Sequence, residues 1–125
     1  MAEPITRDAS ILKTVAKLIG GEENAEYFNM DLIMAINTAL SFLTQLGVGP
    51  EDGFSIVDDS ATWQDFIGDD KRLNMVISYV AMKAGLIFDP PTSGVIREMK
   101  ESLVAEMEWR SFIAADPASY GVGSP

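Results

Sequence analysis

Residues 30–46 read MDLIMAINTALSFLTQL. Within them Leu32, Ile33, Ala35, Ile36, Ala39, Leu40, Leu43 and Leu46 recur at three- and four-residue steps, the spacing that lines one side of an α-helix. Asn29 stands where an N-cap belongs, and Gly47, Gly49 and Pro50 end the pattern. As the most apolar helical segment of the chain, this one is expected at the centre of the core.

The same periodicity extends outward on both sides. Upstream, residues 8–19 carry Ile11, Leu12, Val15, Leu18 and Ile19 on one face with Lys13 and Lys17 opposite. Gly20-Gly21 supplies a stop, and residues 22–26 read as a polar connection. Downstream, a third helix near 70–88 presents Leu73, Val76, Ile77, Val80, Ala84 and Ile87, with Asp69 or Asp70 as its cap. Asp89-Pro90-Pro91 must end it, because proline blocks the helical conformation of its predecessor. Thr92 or Ser93 then caps a fourth helix through about Ala114. Its apolar seam is Ile96, Met99, Leu103 and Met107, flanked by Glu98, Lys100, Glu101, Glu106 and Glu108. The last stretch, 116–125, is rich in Gly, Ser, Pro and Ala and reads as a flexible tail.

Between the second and third helices, residues 50–70 hold seven acids and no base: Glu51, Asp52, Asp58, Asp59, Asp65, Asp69 and Asp70. Phe54–Val57 can form a short strand, and Ala61–Ile67 a helical turn bearing Trp63 and Phe66. A connection this long is usually functional or disordered, and its aromatic side chains argue for order. The expected architecture is all-α: a bundle of four main helices with a structured, protruding acidic loop and a C-terminal tail, residues 1–115 forming a single domain.

The chain has 125 residues, the size of one domain, with 47% hydrophobic and 22% charged residues. Nine basic against nineteen acidic residues give a net charge of −10, which disfavours a duplex-binding surface. With no cysteine and no histidine, disulfides, thiol catalysis, Cys/His zinc sites and histidine acid–base chemistry are excluded. Residues 1–4 lack a basic n-region and Lys13 and Lys17 interrupt the first apolar stretch, so no signal peptide is expected, and no apolar run is long enough to cross a membrane.

Candidate sites are few. The paired acids Asp58-Asp59 and Asp69-Asp70 offer hard oxygen ligands, but no EF-hand spacing surrounds them, and a solvated surface with helix caps accounts for them better than a metal. Gly47-Val48-Gly49-Pro50 lacks the GK[ST] of a phosphate loop, and the serines have no histidine to activate them. No cofactor is called for. Trp109, beside Arg110, either closes the core or anchors an interface, since Trp and Arg dominate interface hot spots. Trp63 poses the same choice in its loop. Phe112, Ile113 and Tyr120 place apolar groups in a segment unable to fold alone, so they either fray or order on a partner.

Several strings, in order, resemble small proteins of the head–tail connector region of long-tailed bacteriophages. They are Gln45–Pro50, Gly53–Ile56, Thr62–Gly68, Tyr79–Lys83, Phe88–Ser93 and Glu106–Arg110, and the resemblance covers roughly residues 30–113. It implies the adaptor, or head-completion, family: helical, non-catalytic subunits that form a ring, typically of twelve copies, beneath the portal and extend the DNA channel toward the stopper and tail. The implied partners are the portal protein, a stopper or tail-completion protein, and other copies of the chain. The genome passes through without specific binding, and a negatively charged lumen suits that passage. The implied place is the neck of the virion, assembled in the bacterial cytoplasm, with no membrane involved. On this reading Trp109, Arg110, Phe112, Ile113 and Tyr120 grip the portal. Phe54, Trp63 and Phe66 meet a neighbouring subunit or the next neck protein. The alternatives are a stopper or tail-completion protein of the same neck, or a small acidic helical regulator of a host protein.

Overall fold

A computed structural model describes residues 5–20 and 30–113, with side chains as far as Arg110. The fold is all-α. Helices α1 (Ile11–Gly20), α2 (Met30–Gln45), α3 (Trp63–Ile67), α4 (Leu73–Phe88) and α5 (Gly94–Glu106) follow one another, and α5 runs on as a π-helical segment, Met107–Ile113. Among the described residues the extended pairing is confined to an isolated antiparallel bridge between Ser10 and Thr62. Phe54–Val57 forms no strand. The expected cap Asn29 and the polar connection at 22–26 lie outside the described residues.

The face read from the spacing of α2 is the buried one: Leu32, Ile33, Ala35, Ile36, Ala39, Leu40 and Leu43 all lie in the core. The centre of the molecule, however, is α4 rather than α2. It packs against α2, α1 and α5, and its buried residues include Tyr79 along with Val76, Ile77, Val80 and Ala84. Helix α2 buries only one side and leaves Met34 and Phe42 outside. Ile19, near the end of α1, lies against Gly85, near the end of α4. The Lys83 ammonium of α4 sits 4.2 Å above the Phe42 ring of α2.

The acidic connection is structured, as its aromatics require, but it does not protrude. It folds back on α1 and α2 and completes the core with Val48, Ile56, Trp63, Phe66 and Ile67. Three devices hold it there. First, Gly49 has φ +85°, and a Cβ at this position would stand 2.4 Å from the Phe66 ring, so only glycine fits. Second, the Asn37 side chain clamps the Ile56 backbone. Its Nδ2 donates to the Ile56 carbonyl at 3.0 Å, and the Ile56 N–H donates to Asn37 Oδ1 at 2.7 Å. The amide thus supplies both bonds that a neighbouring strand would have given. Third, α3 opens with a capping box: the Asp65 N–H donates to Thr62 Oγ1 at 3.2 Å, and the Thr62 N–H donates to the Asp65 carboxylate at 2.9 Å. Backbone bonds from Trp63 to Ala9, from Gln64 to Arg7 and from Ile11 to Ala61 tie α3 to the residues before and at the start of α1.

Asp70 acts just ahead of α4. Its carboxylate accepts the Arg72 N–H at 2.8 Å and both Nε and Nη2 of the Arg72 guanidinium, at 3.0 and 2.7 Å. Arg72 itself holds the N-cap position and makes no side-chain capping bond.

Candidate functional site

Helix α5 departs most from a simple bundle. Ser93 starts it, its hydroxyl accepting the Ile96 N–H at 3.3 Å. Of the apolar seam read from the sequence, Ile96, Met99 and Leu103 face solvent together with Val95, and Met99 is 55% exposed. Val104 is the one fully buried residue of α5, and Met107 packs against the core from the segment that follows. The helix therefore rests on α4 along a neighbouring arc and leaves its apolar strip uncovered. Amphipathic spacing reports that a helix has an apolar side, not which molecule covers it.

Beyond Glu106 the helix widens. The Met107 N–H is shared between the Leu103 and Val104 carbonyls, and the following turns take the i→i+5 form, which is rare and frequent at functional sites. Glu108 lies over α4, where Tyr79 donates its phenol to Glu108 Oε2 at 2.7 Å and the Lys83 ammonium stands 3.6 Å from the same oxygen. Burial, and then the Glu108 carboxylate, push the Tyr79 phenol well above its ordinary value, so it remains a donor. Trp109 is 61% exposed, and Arg110 pairs with Glu106 one turn back at 2.9 Å. Of the other residues expected to grip a portal, the side chains of Phe112 and Ile113, and all of Tyr120, lie outside the described residues.

The three aromatic residues expected to contact a neighbour sit elsewhere. Trp63 is fully buried, its indole N–H donating to Thr14 Oγ1 at 3.2 Å, and Phe66 is buried against Gly49. Phe54 is half-buried, its ring 5.4 Å from that of Phe66 and tilted by 53°. Folded this way, Trp63 and Phe66 have no surface to offer another subunit. The capping box and the backbone bonds of α3 turn these side chains inward.

Several acids of this connection have partners. Asp58 accepts the N–H and the hydroxyl of Ser60, which together lower its pKa below the usual carboxylate value. Asp59 lies 3.6 Å from Lys13, and the Arg72 guanidinium lowers the pKa of Asp70. Among the described residues no three acidic side chains gather to hold a metal ion. Among those residues, too, no helix is long and apolar enough to cross a membrane.

A second apolar surface is formed by α2 and α4. Met30, Met34 and Ile87 are exposed there, Met34 at 63%. They border a groove of about 350 Å³ lined by Asp31, Met34, Ala35, Thr38, Ile87 and Phe88, between the first half of α2 and the end of α4. The sequence reading missed this surface, although Met30 and Met34 fall four residues apart on the side of α2 away from its core face.

A family model described as Phage connector protein matches residues 11–118. No curated protein and no solved structure matches the chain.

Proposed function

The chain belongs to the phage connector protein family, and we propose that it serves as the head–tail adaptor. In that role it is a non-catalytic subunit that assembles as a ring beneath the portal and continues the DNA channel toward the stopper and tail. The observation that carries this reading is the pairing of a fully folded core with uncovered apolar surface. Val95, Ile96, Met99, Leu103 and Trp109 lie exposed on α5 and the segment that follows it, in a chain whose other tryptophan is completely buried. Exposed aromatic and methionine side chains are typical of interface centres. The end of the chain from Trp109 onward carries the portal contact. The net charge of −10 keeps the subunit from adhering to the genome it surrounds.

The test is the mass of the complex formed with the portal ring of the same phage. Saturation at one copy per portal subunit supports the adaptor role, whereas a folded protein that fails to bind overturns it. A chain ending at Ala115 should keep its helical spectrum and lose attachment; normal attachment would remove Tyr120 and the rest of the segment beyond Ala115 from the contact.

A further inference from the structure

The subunit carries two unlike apolar surfaces, a convex strip on α5 and a groove between α2 and α4. We infer that they are the two halves of one contact: the α5 strip of one copy seats in the α2/α4 groove of the next. This inference deepens the adaptor reading and rests on it.

Three observations support the match. The first is shape. At about 100° per residue, Val95, Ile96, Met99 and Leu103 fall within roughly a quarter to a third of the α5 circumference, which makes a ridge. The groove is the concave counterpart, lined by the small residues Ala35 and Thr38 together with Met34, Ile87 and Phe88. The second is charge. Lys100 borders the strip beside Ile96, and Asp31, the sole ionisable residue of α2, lines the groove. Glu98 borders the opposite edge of the strip, so one orientation of the ridge brings Lys100 toward Asp31 and the reverse brings two acids together. The third is geometry of assembly. A contact between two different surfaces of the same chain is head-to-tail, and repeated copies of it close into a ring or grow as a filament, whereas a self-complementary patch stops at a dimer. Glu106, which falls within the strip's arc, is held by Arg110 and so presents a paired charge there.

The absence of native cysteine makes the contact readable by disulfide formation. Met34 and Met99 are both exposed, so changing them leaves the core intact. The full-length chain carrying Met34→Cys and Met99→Cys together, assembled on the portal ring and then oxidised, is expected to give a ladder of covalent multimers. The two single variants, mixed, should give covalent dimers and nothing larger, and each single variant alone should give none. Dimers from Met99→Cys alone would show α5 meeting α5 and overturn the inference. An assembly of full mass that yields no cross-link in the double variant would also overturn it, while leaving the adaptor reading standing. Failure of the unmodified chain to assemble on the portal would take down both.

Discussion

Replacing Trp63 by alanine separates core from interface most sharply. The side chain is fully buried beneath α1, and its indole N–H donates to Thr14 Oγ1, whose own hydroxyl donates to the Ser10 carbonyl at 2.6 Å. Truncating a buried tryptophan removes its transfer free energy and leaves a cavity that close-packed neighbours fill only in part, at a cost of about 3–5 kcal/mol. For a domain of this length each kcal/mol shifts the melting temperature by roughly 3–5 °C, so the variant should melt about 10–20 °C lower. Trp63→Phe keeps most of the apolar volume and gives up the hydrogen bond, so its loss should be less than half as large. The assay is thermal unfolding followed by far-ultraviolet circular dichroism, together with tryptophan fluorescence. Trp109→Phe, which leaves Trp63 as the sole tryptophan, should give a blue-shifted tryptophan spectrum and an unchanged melting temperature. A Trp63→Ala protein that melts within about 3 °C of the parent would refute the placement of this side chain and restore it as a contact residue.

Asn37→Ala should cost about 2–3 kcal/mol in urea unfolding, because it strips both partners from the buried Ile56 backbone, and Asn37→Asp should recover only the bond from the Ile56 N–H. The Asp70 carboxyl has its pKa lowered by Arg72, so the stability it contributes is present above the unfolded value near 4 and fades as pH falls through the folded one. Asp70→Asn should accordingly flatten the acid limb of the stability curve below about pH 4 and lower stability at neutral pH. Tyr79 has the opposite sign. Its raised pKa means that the stability it contributes is whole below about pH 10 and declines as pH rises beyond it. Tyr79→Phe should remove that alkaline loss and cost about 1–2 kcal/mol at pH 7, measured by denaturant titration.

Helix positions and most core residues were legible because burial and periodicity are two views of the same constraint. The α2 face from Leu32 to Leu43 and the α4 residues Val76, Ile77, Val80 and Ala84 are the plainest cases. The α5 seam was legible as apolar, but not which surface covers it. Ile96, Met99 and Leu103 have the same spacing whether the covering surface belongs to this chain or to another. Trp63 was left open between core and interface, since an aromatic residue in an acidic connection does not say which surface covers it. What buries it is the α3 capping box and its backbone bonds to residues 7–11, partners distant in sequence. Asn37 was invisible as well, because its partner is the main chain of Ile56 and no side-chain pattern records it. The widening at Met107–Ile113 has no composition signal either, and it accompanies Glu108 over Tyr79 and Lys83.

The thin attachment of α5 also sets how the molecule opens. Free energy of opening follows buried apolar contact, and a helix anchored by Val104 and the Glu108 cluster can detach while α1, α2, α3 and α4 stay folded. Amide protons of α5 should therefore exchange with solvent deuterons well before those of α2 and α4 in the isolated subunit. Once copies sit side by side, the same amides should slow toward the rate of the core. Deuterium uptake along residues 94–106 thus provides a label-free clock of assembly, carried by a helix with a single buried residue.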